Sequence, residues 1–279
     1  MTLTISEEKL LPEIQKYAKE AGRMFLEADQ LGQVTVSTKS GRRDLVTSMD
    51  LKVQETLMQK LARLVPSCSF LCEENLLLPE IRQVKDPAEA EKGVCFIIDP
   101  IDGTANFVHG MKHSCTSIAM AVDGQVRIGV VYDPYRDELF SAIKGMGAWL
   151  NGRLLEKFDA ELSDAITALG TSPYDDSNND ETFRMARRLY ELSADLRRSG
   201  SAALDQCWTA CGRYGLFAEL GLSLWDIAAG KLIAEETGCI VTDIDGAPLK
   251  LTGRTTFLCG RPSSVKEFLS DMAIAGWRK

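Results

Sequence analysis

The sequence predicts an α+β fold, and three observations lead to that class. Apolar residues recur at helical spacing over residues 6–28 and again over 47–64. Two apolar runs within residues 116–132 flank Asp123-Gly124, a pair typical of the tight turn of a β-hairpin. Helical patterns then return at about 181–192, 201–213 and 226–237. Helices and antiparallel strands in separate stretches indicate an α+β arrangement.

The remaining elements follow from local signals. Ser6 before two glutamates marks the start of the first helix, and Gly238 ends the helix of residues 226–237. A last helix is predicted after Ser263. The acidic, proline-containing segment 76–93 is predicted to be a surface loop. The predicted strands are 94–98, 116–122, 125–132, 138–143, 149–150 and 239–243.

Composition and charge argue against several classes of protein. With 32 basic and 40 acidic residues, the net charge is −8, whereas a general nucleic-acid binder needs a basic face. No apolar stretch approaches the ~18 residues of a membrane span, and the N-terminus lacks the pattern of a secretory signal. Eight cysteines without a paired framework predict reduced thiols and a cytoplasmic location. Arg197 and Arg198 form a basic cluster that by itself is more typical of a solvated face.

Residues 97–104, Ile-Ile-Asp-Pro-Ile-Asp-Gly-Thr, carry the main functional signal. The apolar run predicts a buried strand, and Pro100 is expected to end it, with Asp99 at its tip and Asp102 in the turn. The glycine and threonine that follow begin a helix whose free N–H groups suit a phosphate. Two carboxylates there suggest divalent cations held against a phosphate ester. Taken alone, the pattern is more typical of a proline turn with two solvated aspartates.

The segment Asp99–Phe107, Asp-Pro-Ile-Asp-Gly-Thr-Ala-Asn-Phe, resembles the signature of the inositol monophosphatase family of metal-dependent phosphatases. The resemblance extends over nearly the whole chain. Further segments follow in that family's order: Lys39 with Asp44–Asp50, Phe70–Asn75, Gly200–Ala203, and Glu219–Asp226 running into Gly230.

The resemblance implies a layered α-β-α-β-α sandwich of the sugar-phosphatase type. An N-terminal lobe, residues 1–150, would hold the antiparallel sheet and most metal ligands. A C-terminal α/β lobe, residues 151–279, would complete the metal and substrate site within one compact unit.

The resemblance also implies a cofactor, two or three Mg²⁺ ions, which prefer oxygen ligands. One ion would be held by Glu73, Asp99 and the carbonyl of Ile101, and the second by Asp99, Asp102 and Asp226. The family commonly has glycine before its Glu-Glu pair, where this chain has Cys72.

Catalytic roles carry over in the same way. Glu73 and Thr104 would orient the nucleophilic water, Asp50 would partner Thr104, and Lys39 would lie near the metal-and-phosphate site. Thr47 and Asp50 also fit a helix-capping box, and the two roles of Asp50 are compatible. The substrate-binding residues that the resemblance implies are Asp102, Gly103, Thr104, Gly200, Ser201, Ala202, Glu219 and Asp226.

The activity implied is Mg²⁺-dependent hydrolysis of a small polyol or sugar phosphomonoester, with inositol monophosphate first. Lithium sensitivity and a homodimer are implied as well, and no membrane or nucleic-acid partner is expected. Alternatives within the family are fructose-1,6-bisphosphate, 3′-phosphoadenosine 5′-phosphate, histidinol phosphate and NADP. A different class of alternative is a non-catalytic regulatory protein on the same fold.

A second acidic motif competes with this interpretation. Asp243-x-Asp245-Gly resembles the nucleophile motif of haloacid-dehalogenase-type phosphatases. That motif belongs on the first strand of its fold, whereas only a short tail follows it here. We therefore interpret Asp243 and Asp245 as part of a turn after a strand.

Overall fold

The computed structural model describes residues 6–274 except 33, 40, 42, 174 and 250–252. Its helices are α1 Glu7–Leu31, α2 Ser48–Leu64, α3 Thr104–Val108, α4 Asn179–Leu192, α5 Ala202–Ala210, α6 Leu224–Glu236 and α7 Pro262–Ile274. Its strands are β1 Val36–Thr38, β2 Leu45–Thr47, β3 Ser69–Cys72, β4 Val94–Asp102, β5 Cys115–Val122, β6 Gln125–Asp133, β7 Glu138–Ile143, β8 Gly147–Leu150, β9 Arg153–Leu154, β10 Ile166–Leu169, β11 Asp195–Arg197, β12 Leu216–Leu222, β13 Ile240–Thr242 and β14 Thr255–Gly260.

Two large sheets organise the molecule. The first has seven strands in the order β3-β4-β5-β6-β7-β8-β9, and the second has five in the order β11-β10-β12-β14-β13. Apart from the parallel pair β3–β4, neighbours in the first sheet are antiparallel. The second sheet is mixed, because β10 pairs in parallel with both β11 and β12, whereas β14 pairs antiparallel with β12 and β13.

Helices cover both sheets and produce five layers. Along β4, side chains alternate between two cores, as the two-residue period of a strand requires. Phe96 and Ile98 pack with α1 and α2 on one face, while Cys95 and Ile97 pack with α5 and α6 on the other. A third core joins α4 and α7 to the outer face of the second sheet. The predicted α+β, α-β-α-β-α sandwich is therefore confirmed.

The first half of the chain follows the local signals closely. Helix α1 starts after Ser6, as predicted, and ends at Gly32, whose φ of 63° is the left-handed geometry of a helix C-cap. Helix α2 begins with a complete capping box between Thr47 and Asp50. The predicted hairpin forms strands β5 and β6 around Asp123-Gly124.

The expected end of β4 at Asp99 is wrong. The strand runs on through Pro100 to Asp102, with an irregular register against β5 between the two aspartates. Strand β3 pairs with β4 only as far as Ile98, so Pro100 faces no neighbour on that side and its missing N–H costs no ladder bond. The proline carbonyl instead accepts a hydrogen bond from Thr116 Oγ1 at 2.9 Å.

Most of the second sheet was missed from the sequence. Strand β13 was predicted, but β10, β11, β12 and β14 were not. The clearest missed signal is the run Leu216–Leu222, which is buried along its whole length. Such a continuous apolar run is typical of a strand covered on both faces, and periodicity alone does not separate it from a buried helix.

The two sheets draw on separate stretches of chain. Strands of the first sheet lie within residues 69–154, and those of the second within 166–260. The division into lobes near residue 150 stays a prediction.

Candidate active site

A cavity of about 300 Å³ is lined by residues from both sheets. Every site residue predicted from the sequence, except Asp50, lines it. They arrive from separate segments: the ends of β3 and β4, the turn before α5, strand β12 and the first turn of α6. The fold thus brings together motifs that are far apart in sequence.

Three buried aspartates form one side of the cavity. The continuation of β4 past Pro100 places Asp99 and Asp102 near each other, and the first turn of α6 adds Asp226. Each is anchored by a backbone N–H through one carboxylate oxygen. Asp99 Oδ1 accepts from Ile101 N at 3.1 Å, Asp102 Oδ2 from Ala203 N at 2.8 Å, and Asp226 Oδ2 from Ser223 N at 2.6 Å.

The aspartates share a strongly negative environment. Burial, followed by the charges of Glu73, Asp102 and Asp226, raises the pKa of Asp99 well above its usual value. Burial and the charges of Asp102 and Glu73 do the same to the pKa of Asp226. Burial raises the pKa of Asp102 to about 6 even though Ser201 and Ala203 hydrogen-bond to it. A cation in the cavity would relieve this repulsion.

The donor set fits a hard divalent cation. Its members are carboxylates and a backbone carbonyl, the oxygen ligands that Mg²⁺ prefers. Within the described ranges, no three acidic, histidine or cysteine side chains lie close enough together to chelate an ion. The fit therefore rests on the chemistry of the cavity lining and on the mutual repulsion of its carboxylates.

Lys39 and the Glu73-Glu74 pair form a second part of the site. Lys39 Nζ donates to Glu73 Oε1 at 2.8 Å and forms an ion pair with Glu74. Burial lowers the pKa of Lys39, but the charges and hydrogen bonds of Glu73 and Glu74 together outweigh this, and the pKa lies above its usual value. Burial, with the charge of Glu73, raises the pKa of Glu74 to about 7.

Cys72, which stands directly before the Glu73-Glu74 pair, does not disturb the backbone there. It lies in β3, paired with Ile98 of β4, and packs against the core that β4 shares with α1 and α2. Glu73 N continues the pairing by donating to Ile98 O at 3.1 Å. The side chain therefore occupies an ordinary strand position, and Glu73 still reaches the cavity.

Asp50 lies behind the cavity and contacts Thr104. Thr104 Oγ1 lies 3.4 Å from Asp50 Oδ1 and 3.1 Å from the carbonyl of Ile101. The other oxygen of Asp50 accepts from Thr47 N at 2.8 Å, which completes the helix cap. Burial raises the pKa of Asp50 to about 6. The capping contact and the contact with Thr104 coexist.

Small residues and a buried glutamate form the opposite wall. Gly200, at φ 90°, precedes Ser201, whose side chain accepts from Leu204 N and caps α5. Glu219 Oε1 accepts from Ser172 N at 2.9 Å and from Ser172 Oγ at 3.1 Å. A Cβ on Gly170 would lie 1.8 Å from Glu219 Oε2, so only glycine fits there.

Several lining residues were missed from the sequence: Gly170, Ser172, Arg198, Asp205 and Arg254. Most follow or precede strands of the second sheet that were themselves missed. Recognising 166–169 and 216–222 as strands would have placed the residues after them at one sheet edge.

The competing acidic motif forms a turn. Asp243 Oδ1 accepts from Asp245 N at 3.0 Å and Ala247 N at 2.8 Å, and Gly246 adopts a φ of 82°. These residues are not among those that line the cavity. They close the connection after β13, as the sequence indicated.

Residues 6–273 match the family model that is described as "Inositol monophosphatase family". The chain belongs to the inositol monophosphatase family. It is 34% identical over 258 residues to the Nus factor SuhB of Escherichia coli K12, covering 91% of this chain and 92% of that protein.

Solved structures of the family agree with the fold. A staphylococcal inositol monophosphatase-1, described as a 100 mM LiCl-soaked inhibitory complex, superposes with a TM-score of 0.84 at 26% identity over 98% of each chain. An IMPase/NADP phosphatase complexed with NADP and Ca²⁺ gives a TM-score of 0.83, also at 26% identity over 98% of each.

No helix in the described part of the chain is long and apolar enough to cross a membrane. The eight cysteines are all free thiols. The cytoplasmic location and the homodimer stay predictions.

Proposed function

We propose that this chain is a Mg²⁺-dependent phosphatase of small polyol or sugar phosphomonoesters, with inositol monophosphate as the leading substrate. The observation that carries the proposal is that Glu73, Asp99, Asp102 and Asp226 all line one cavity beside the Thr104–Asp50 contact. The relatives named inositol monophosphatases support the substrate class.

The metal ligands follow the resemblance. Glu73, Asp99 and the carbonyl of Ile101 would hold one ion, and Asp99, Asp102 and Asp226 the other. When bound, Mg²⁺ supplies positive charge to the phosphoryl oxygens and lowers the pKa of water.

The protein's own groups would align the reaction. The Thr104 hydroxyl and the Glu73 carboxylate orient the attacking water, and Asp50 fixes the Thr104 hydroxyl by accepting from it. The N–H groups of Gly103 and Thr104 face the phosphate, and Lys39 adds a positive charge near it. Glu219 accepts from a substrate hydroxyl, while Gly200, Ser201 and Ala202 let the alcohol approach closely. Attack in line with the leaving oxygen requires no phosphoenzyme.

The test is phosphate release from a panel of esters, namely inositol 1-phosphate, fructose-1,6-bisphosphate, 3′-phosphoadenosine 5′-phosphate, histidinol phosphate and NADP. We expect turnover with Mg²⁺ and none in excess chelator. Asp99→Asn should lose nearly all turnover, roughly 10³-fold or more, since it removes a carboxylate shared by both ions.

Asp243→Asn is the matched control, because Asp243 is an aspartate with two backbone hydrogen bonds away from the cavity. It should keep most turnover. Labelled phosphate recovered on Asp243, or full activity of Asp99→Asn, would contradict the proposal.

A second candidate is a role as a Nus factor, because the Escherichia coli relative carries that name. The Asp99→Asn variant separates the two roles. If this chain replaced SuhB in Escherichia coli equally well with and without that substitution, the role would not depend on hydrolysis.

A further inference from the structure

Two arginines line the cavity on the side formed by the second sheet. Arg198 follows β11 and Arg254 precedes β14. Strands β10, β11 and β12 run parallel, and β14 runs antiparallel to them. The start of β14 therefore lies at the same sheet edge as the ends of the other three, and both guanidinium groups are carried on that edge.

Both guanidinium groups are held against the central strands. Arg198 donates from Nε and Nη2 to Thr171 Oγ1, at 3.2 and 2.9 Å, just after β10. Arg254 Nη2 donates to the carbonyl of Gly221 in β12 at 2.8 Å. Because β10 and β12 are neighbours, the two groups are anchored on adjacent strands.

Their charges are not neutralised by direct ion pairs. In the described segments, Arg198 and Arg254 bond only neutral oxygens. By contrast, the neighbouring Arg197 forms an ion pair with Asp195 at 2.5 Å. Since a guanidinium has five N–H donors, both arginines retain donors for an anion.

The charge of Arg198 acts on two buried carboxylates, Glu219 and Asp205, without a direct ion pair. Glu219 accepts two hydrogen bonds from Ser172, and Asp205 Oδ1 accepts from Ser199 Oγ at 2.6 Å. Hydrogen bonds from serines leave these carboxylates charged, so this side of the cavity combines two arginines with two acidic groups, whereas the predicted metal ligands lie on the other side. A substrate reaching from one side to the other would present an anion to each.

We infer that Arg198 and Arg254 bind a second phosphate group of the substrate, so that the site favours esters carrying two phosphates over the matching monophosphate. The inference rests on the proposed function, since it concerns the same cavity. A planar guanidinium donates two parallel hydrogen bonds to a phosphate, and such charge-assisted bonds are stronger than neutral ones.

The test uses, with Mg²⁺, three esters that share a phosphate at C1 and differ at C6: glucose 1-phosphate, glucose 1,6-bisphosphate and glucuronate 1-phosphate. We expect kcat/KM for the bisphosphate to exceed that for glucose 1-phosphate about tenfold or more, mainly through KM. Arg198→Gln and Arg254→Gln should each reduce this preference about tenfold, and Arg198→Lys should reduce it less.

Arg197→Gln is the matched control, since its side chain is adjacent in sequence, is paired with Asp195 and does not line the cavity. It should leave the preference unchanged. Thermal unfolding of each variant verifies that it is folded.

The outcomes separate this inference from the proposed function. Phosphate release without a preference for the bisphosphate, or a preference that survives both glutamine variants, would overturn the inference alone. An equal gain with glucuronate 1-phosphate would overturn the assignment to phosphate. Failure to hydrolyse any ester, including those of the earlier panel, would overturn the proposed function itself.

Discussion

At the residue scale, Asp102 and Asp226 are buried carboxylates that are held in place by hydrogen bonds and line the cavity. Each uses Oδ2 to accept protein hydrogen bonds, from Ser201 and Ala203 in one case and from Ser223 in the other. Both residues line the cavity, and burial raises the pKa of each carboxyl group. A small hard cation is a natural ligand for two such carboxylates.

The family resemblance predicts inhibition by Li⁺ at this site. Lithium would compete for the site formed by Asp102 and Asp226, and the staphylococcal relative is described as an inhibitory complex with LiCl. In phosphate-release assays at matched ionic strength, LiCl should inhibit more strongly than KCl. Equal effects of the two salts would count against the assignment of these aspartates.

At the element scale, the cap of α2 has two functions. Thr47 Oγ1 accepts from Met49 N at 3.1 Å and from Asp50 N at 3.4 Å. In turn, Thr47 N donates to the Asp50 carboxylate. The same aspartate contacts Thr104. The helix start therefore holds in place a residue that the proposed mechanism requires.

Removing the cap should affect stability first. Thr47→Ala should lower the free energy of unfolding by about 1–2 kcal/mol, because the first-turn N–H groups lose their acceptor. Thr47→Ser retains the hydroxyl and should stay close to the parent protein. Urea unfolding measures both variants, and identical midpoints would show that the hydroxyl contributes nothing.

At the scale of the whole molecule, His113 lies where three parts of the fold meet. Its ring packs edge-on against Trp208 of α5 with centroids 5.1 Å apart, and its carbonyl accepts from Asn106 of α3 at 2.8 Å. Arg136, from the β6–β7 connection, lies over Trp208. Burial, followed by the charge of Arg136, lowers the pKa of His113 to about 4.

The lowered pKa gives a pH dependence of known sign. The folded state binds this proton less readily than the unfolded chain, whose histidine pKa is about 6.5. Above about pH 6.5 the ring is neutral in both states, and His113 does not reduce the free energy of unfolding. As the pH drops towards 4, the unfolded chain binds the proton first, and the free energy of unfolding falls by up to about 3 kcal/mol.

Replacing the ring tests this effect. His113→Gln should unfold with a shallower loss of stability between pH 6.5 and 4 than the parent, as measured by urea unfolding at several pH values. Because the buried aspartates titrate in both proteins, only the difference between the two curves reports on His113. Parallel curves would contradict the assignment.

The sequence by itself determined much of the molecule. Helices α1 and α2, the β5–β6 hairpin and the turn at Asp243 follow from local patterns, because capping, turn chemistry and periodicity act over a few residues. The signature beginning at Asp99 led to the family, which the comparisons confirm. The individual roles of the site residues stay predictions.

Only the tertiary structure decided what depends on neighbours distant in sequence. Pro100 stays in β4 because β3 ends opposite Ile98, which no local pattern reveals. The mixed second sheet carries Arg198 and Arg254 to one edge, although 56 positions separate them in the chain. From sequence, Arg198 resembles a solvated charge, and only the order β11-β10-β12-β14 places it at the cavity. Sheet order is set by long-range packing, and it therefore determines which charges face the substrate.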